Sequence, residues 1–346
     1  MEWVRGDQLG RGNFATISLA KLTKGFDQFP PLMAVKSSVS SLSSVSLKNE
    51  KQILDRIGVC PQIITCYGDG FSVEKDGDKY YNLFLEYANG GSLADVVRTH
   101  GGGLSEFDVR RYTRAILYGL RHVHGNGFVH CDLKLSNVLI FGNGEVKIAD
   151  FGLAKSAGKF GAVETEERFE WRGTPMYMSP EIVNDGEYES PCDIWALGCA
   201  VVEMVVGKPA WRVGPGTDMF GLMMRIGVGD EVPETPENLS AEGKDFIRRC
   251  FVKDPSKRWT AEMLLNHPFV VAGAGDTTVT LKEVELTTES PTGPFDFPEF
   301  VCSGQGSDEW SFCSSSSSPE VLSRVRHLVT GKPLDWSVMD SWVTVR

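Results

Sequence analysis

The chain has 346 residues, 41% of them hydrophobic, and a formal net charge of −11 at pH 7. That length and apolar share allow two or three domains and a large packed core, while the acidic balance disfavours nonspecific attraction to nucleic acid or an anionic membrane and suits a basic protein partner. Eight cysteines with no C-x-x-C pair argue against zinc and against a secreted disulfide scaffold. No signal-peptide core or membrane-length apolar run is present, the longest being 194–206 with Glu203 inside it, so an intracellular protein, cytoplasmic or nuclear, is expected.

In chain order, residues 3–22 predict two strands around Leu9-Gly10-Arg11-Gly12-Asn13-Phe14-Ala15, with apolar alternation at Ile17 and Leu19. Glycine is needed wherever a backbone must approach an anion without a Cβ in the way. Met33-Ala34-Val35-Lys36 reads as a strand ending in a lysine, and 46–57 places Leu47, Ile53, Leu54 and Ile57 on one face of a helix that also carries Glu50. Taken alone, Lys36 is a surface charge and Glu50, between Lys48 and Lys51, belongs to a solvated helix face. Strands at 63–73 and 79–87 flank the polar turn 74–78, and Gly90-Gly91 marks a chain break. A helix over 107–124 ends at Gly125-Asn126-Gly127, and its His122 and His124 lack a third metal-spaced partner, which makes them structural.

Residues 129–152, VHCDLKLSNVLIFGNGEVKIADFG, bring Asp132, Lys134 and Asn137 together before a short hairpin that ends in Asp150-Phe151-Gly152. Either triplet alone is ordinary turn chemistry. In this order they match a signature of phosphoryl transfer, in which one acid positions a hydroxyl and takes its proton while a second acid and an amide oxygen hold Mg²⁺. Downstream come Gly173-Thr174-Pro175-Met176-Tyr177-Met178-Ser179-Pro180-Glu181, an apolar helix opened by Asp193, Arg258 in DPSKRWT, and a close near His267-Pro268-Phe269.

On these motifs the sequence resembles a eukaryotic protein kinase over residues 1–269. Lys134 with G-T-P-x-Y is similar to serine/threonine kinases, GTPMYMSPEI looks like the MEKK-type mitogen-activated protein kinase kinase kinase signature, and GRGNFAT, HCDLK and DSWVTVR resemble its plant members. The resemblance implies an α+β bilobal fold: a small lobe over about 1–88, with five antiparallel strands and one helix, and a mainly helical large lobe over about 89–269. It implies ATP and Mg²⁺ as cofactors, and as partner a protein substrate, a MAP kinase kinase in stress signalling. Asp132 would take the substrate proton, Lys134 would neutralise the moving phosphate, Asn137 and Asp150 would bind metal, and Lys36 paired to Glu50 would hold the α- and β-phosphates. Gly10 and Gly12 would cover the phosphates. Leu9, Ala15, Ile17, Ala34, Lys36, Leu85, Glu86, Ala88 and Leu139 complete the implied nucleotide site, with Leu85 at its back and Glu86 to Ala88 as the hinge. Thr174 would contact Asp132 and Lys134, Asp193 the catalytic-loop backbone, and Glu181 would pair with Arg258. A scaffold that binds nucleotide without turnover, or a kinase of another pathway, stays open.

Three positions depart from the family pattern: Ala15 for a third glycine, Ser179 for alanine, and Cys131 for the arginine before the catalytic aspartate. That arginine ordinarily meets an activation-segment phosphate. Its absence predicts less dependence on phosphate at Thr165 or Thr174, with Glu164, Glu166, Glu167 and Glu170 as a differently organised or simply solvated loop. Only His130 stands beside Cys131 in sequence to lower its pKa, which weakens a redox role. Residues 270–346 change to polar, Pro-rich and Ser-rich composition and predict a mostly disordered tail, with a short helix at 319–330 and candidate anchors at Trp310, Trp336 and Trp342, free to bind a regulator or the kinase domain itself.

Overall fold

The computed structural model describes residues 1–12, 15–24, 28–39, 44–74, 77–158, 172–213 and 218–272. The glutamates and Thr165 of the 164–170 stretch and everything proposed for the tail lie outside the described residues.

Strands β1 (Glu2–Arg11), β2 (Thr16–Lys24) and β3 (Leu32–Val39) precede helix α1 (Ser44–Ile57), then β4 (Cys66–Val73) and β5 (Lys79–Leu85) follow. They make one antiparallel sheet in the order β1-β2-β3-β5-β4. The two-residue period of β3 sorts its side chains: Met33 and Val35 join Ala20, Leu22 and Phe84 in one apolar cluster, while Ala34 and Lys36 alternate to the opposite face. Helix α1 buries Leu47, Ile53, Leu54 and Ile57, and with them Glu50.

The strand expected over 63–73 begins only at Cys66. Its first apolar residues pair with the other lobe instead: Ile64 N–H donates to Ile148 O at 2.9 Å, and Ile148 N–H to Gln62 O at 2.8 Å. The strand expected over 79–87 stops at Leu85, because Glu86 N–H turns to Thr65 O at 2.9 Å.

After the chain break come α2 (Leu93–His100), α3 (Glu106–Gly125), β6 (Phe128–Val129), a 3₁₀ turn (Leu135–Asn137), the hairpin β7 (Val138–Ile140) and β8 (Val146–Ile148), and β9 (Lys155–Ser156), which pairs with β6. A second 3₁₀ turn (Pro175–Tyr177), α4 (Pro180–Asp185), α5 (Ser190–Val206), α6 (Met219–Gly227), α7 (Ala241–Cys250), α8 (Ala261–Leu265) and α9 (Pro268–Val271) complete the large lobe. Side-chain caps define several starts: Ser92 and Asp95 form a reciprocal capping box on α2, and Ser105 caps α3. Helix α5 is apolar around its whole circumference and is correspondingly buried, with Ile194, Trp195, Leu197 and Val201 at 1% exposure or less. One apolar cluster runs without a break from Ile53 and Ile57 of α1 and Leu83 of β5 through Leu120 of α3 to Trp195 of α5 and Phe269 of α9. Among the described residues, no helix is long and apolar enough to cross a membrane.

Candidate active site

Three elements converge on one lysine. β3 is held on both sides, Lys36 facing Ile17 of β2 and Leu83 of β5, so the base of its side chain is fixed. Its Nζ lies 2.9 Å from Glu50 Oε2 on α1 and 2.7 Å from Asp150 Oδ1 just beyond β8. Burial works against the Lys36 charge, but Asp150 and Glu50 together outweigh it and raise its pKa. Burial likewise opposes ionisation of Asp150, yet Lys36 holds that carboxyl down at about 2. Glu50 is fully buried, and its other oxygen accepts the Phe151 N–H at 3.2 Å. Asp150 takes a left-handed backbone, φ 63°, and its side chain stays 44% exposed, which leaves part of the carboxylate open beside the lysine.

The catalytic-loop residues meet below. Asp132 Oδ1 accepts the Thr174 hydroxyl at 2.7 Å, and Lys134 Nζ donates to Thr174 Oγ1 at 2.9 Å while standing 3.1 Å from Asp132 Oδ2. The two contacts expected of Thr174 are therefore present. Asn137 Nδ2 donates to Asp132 O at 2.8 Å and to Asp132 Oδ2 at 3.1 Å. The approach of this segment depends on Gly173, φ 100°, where a Cβ would stand 2.4 Å from Cys131 O.

The loop is pinned from α5. Asp193 accepts the backbone N–H of His130 at 2.9 Å and of Cys131 at 3.0 Å, and His124 bonds its Oδ2 at 2.8 Å. Burial opposes the Asp193 charge, but His124 and the His130 backbone keep its carboxyl below the ordinary range. His130 has one nitrogen on Ala149 O at 3.0 Å, and the other accepts the Asp132 N–H at 3.3 Å, which assigns its proton to Nε2. Its ring sits edge-on to the buried Phe151 at 4.8 Å, so both loops share one packing contact. Burial, with Asp193 beside it, pushes the Cys131 thiol well above its usual range, which keeps it uncharged.

Leu9, Ile17, Ala34, Ala88 and Leu139 are all half-buried, while their neighbours Ser18, Met33, Val35, Val138 and Ile140 are buried. Of these, Ala34, Ala88 and Leu139 pack against the apolar cluster that spans both lobes, and a partly open apolar surface of this kind suits a flat ring. Ala15 differs: it is 7% exposed and clusters with Leu47 and Tyr81, so its methyl packs toward α1. Leu85 is buried against Ala34 at the back. The donor set also suits a hard cation: Asp150 offers carboxylate oxygen, and Asn137, its nitrogen committed to Asp132, has its amide oxygen left.

Lys147 and Glu203 carry no sequence signature of their own. Lys147 of β8 is 8% exposed and grips both oxygens of Glu86 at 2.8 and 2.7 Å, so the hinge side chain points to the large lobe. The Tyr177 hydroxyl donates to Glu203 of α5, whose carboxyl burial pushes up to about 7 against that hydrogen bond. The ion pair of Glu181 with Arg258 is present and bidentate, at 2.6 and 2.9 Å.

A family model described as protein kinase domain matches residues 3–270. Over the full length of both chains, the sequence is 50% identical to mitogen-activated protein kinase kinase kinase 20 of Arabidopsis thaliana. It is 38% identical to kinase kinase kinase 18 of the same plant, over all of this chain and 99% of that one. To kinase kinase kinase 17 the identity is 41%, over 78% of this chain and 70% of that relative.

Proposed function

Since this chain belongs to the protein kinase family, as a serine/threonine kinase of the plant MAP kinase kinase kinase type that uses ATP and a divalent metal, we propose that it phosphorylates MAP kinase kinases in a stress-signalling cascade. The observation that supports phosphoryl transfer is the assembled pair of constellations, Lys36 with Glu50 and Asp150 above, and Asp132 with Lys134 and Thr174 below; the choice of substrate rests on the full-length likeness to kinase kinase kinase 20. An unassembled site would need both to form before any transfer.

In this reading Asp132 receives the hydroxyl of a substrate serine or threonine and accepts its proton, and Lys134 neutralises charge on the phosphoryl group in flight. Lys36, aimed by Glu50, holds the α- and β-phosphates. Asp150 and the Asn137 amide oxygen hold Mg²⁺, which when bound supplies charge neutralisation at the phosphates. The adenine lies against Leu9, Ile17, Ala34, Ala88 and Leu139, with the phosphates under Gly10 and Gly12. Because the Glu86 N–H is committed to Thr65 and its carboxylate to Lys147, its carbonyl is the group left for the ring. We assign residues 1–269 to the kinase domain and 270–346 to a regulatory tail.

The test is phosphate transfer from ATP and Mg²⁺ to a panel of catalytically dead MAP kinase kinases, intact chain against Asp132→Asn. Transfer by the intact chain, reduced about 10²–10⁴-fold in the variant, identifies the substrate. Transfer to a general protein substrate with none to the panel would move the enzyme to another pathway.

A further inference from the structure

Residues 158 and 172 border the stretch 159–171, and adjacent side chains at the start of α5 hold both. Glu189 stands at the N-cap of α5, a position from which shorter polar side chains bond the first turn of their own helix. It makes no such bond. Its two oxygens accept instead from the Gly158 N–H, at 2.8 and 3.1 Å. The next residue back, Tyr188, is 6% exposed, and its hydroxyl closes a ring on the other border: it accepts the Arg172 N–H at 2.5 Å and donates to Arg172 O at 3.2 Å. The Lys155 ammonium lies 5.8 Å above the Tyr188 ring, so this tyrosine touches both arms of the segment.

The held backbone leads directly to the reacting groups. Arg172 is followed by Gly173, packed on Cys131 O, and then by Thr174, bonded to Asp132 and Lys134. A shift of Arg172 therefore reaches the catalytic aspartate within two residues. Where other kinases fix this stretch by pairing a phosphate with the arginine before the catalytic aspartate, this chain has the buried, uncharged Cys131.

We propose that Tyr188 and Glu189 are positioning residues that tie the two arms of the activation segment to α5 and set Thr174 against Asp132 and Lys134 without a phosphate. The proposal rests on the chain being a protein kinase and not on which protein it phosphorylates.

The experiment uses the full chain after phosphatase treatment, assayed for transfer to a general substrate such as myelin basic protein, with Asp132→Asn as the blank. Treated wild type should keep its rate within about twofold. Tyr188→Phe, which keeps the ring and loses both hydroxyl bonds, should lower kcat about tenfold, with the KM for ATP and the thermal midpoint nearly unchanged. Glu189→Ala should also lower kcat, and Glu189→Gln, which retains an acceptor for Gly158, should recover most of it. Amide hydrogen exchange gives a readout independent of turnover: Tyr188→Phe should speed exchange at Arg172, and Glu189→Ala at Gly158. Loss of wild-type activity on phosphatase treatment, or unchanged exchange at both amides, would overturn the proposal. So would losses of activity that merely track losses in thermal stability. Transfer to myelin basic protein with none to MAP kinase kinases would tell against the substrate reading alone; absent transfer to both would tell against turnover itself, and the exchange result would still decide whether Tyr188 and Glu189 hold the two arms.

Discussion

Lys36 with Glu50 and Arg258 with Glu181 each join a buried glutamate to a long basic side chain, and they differ in how completely they are closed. Arg258 gives both terminal guanidinium nitrogens to Glu181, donates also to the carbonyls of Val252, Pro191 and Lys253 at 2.8, 2.7 and 3.3 Å, lies 5.2 Å over the Trp195 ring, and has no exposed side-chain surface. One positive charge meets one negative charge and every donor direction is used. Lys36 faces two carboxyl groups: burial pushes the pKa of Glu50 up, whereas Asp150, 44% exposed, is held ionised by the lysine and keeps an open oxygen. A closed pair ends in itself, whereas one with an open, ionised carboxylate beside it is ready for a further cation. Two buried glutamate pairs can therefore differ in what they leave available: nothing in one, and an open carboxylate oxygen in the other.

The comparison breaks most visibly at its closed member. Arg258→Met strands the Glu181 carboxylate and should cost about 3–5 kcal/mol of stability in urea unfolding; a loss below about 1 kcal/mol would mean that the pair holds nothing. Lys36→Met should reduce kcat about 10²–10³-fold at saturating ATP, as expected for removal of a preorganised charge, in a protein that still folds.

Acid sharpens the contrast. The Asp150 carboxyl is held at about 2 when folded, below its ordinary value of about 4, so its stabilisation is present above about pH 4 and is lost as pH falls toward 2. Lys36→Met should remove that part of the acid sensitivity. Glu203 runs the other way: with a folded pKa of about 7, it binds more protons folded than unfolded between about pH 4.5 and 7, so stability declines as pH rises through that window. Glu203→Gln should flatten the decline in thermal melts taken from pH 5 to 8. At the small end stands the exposed pair of Lys24 with Glu2, at 2.9 Å, where Glu2→Gln should change stability by less than about 1 kcal/mol.

Legibility in the sequence followed the same division. The grouping of Asp132 with Asn137, and of Lys36 with Glu50 and Asp150, was legible because their types and spacing follow a motif, and the helix carrying Glu50 was legible from its apolar period. Tyr188 and Glu189 were not, since an acid before a helix looks like an ordinary cap until its carboxylate is seen on Gly158. Lys147 reads as the outward residue of an alternating strand, and only the fold places Glu86 opposite it. Ile63 and Ile64 have the composition of a strand start, but composition does not name the partner, and theirs is Ile148 in the other lobe.

That cross-lobe bridge and the unbroken apolar cluster behind it bear on how the molecule comes apart. The rear of α1 shares its core with α3 and α5, so calorimetry of residues 1–272 should give one dominant endotherm with no separate melt of the small lobe. The cluster of Ala20, Leu22, Met33, Val35 and Phe84 stands outside that shared core. Strands β1 and β2 should accordingly fray first on warming, while the core shared by α1, α3 and α5 remains intact.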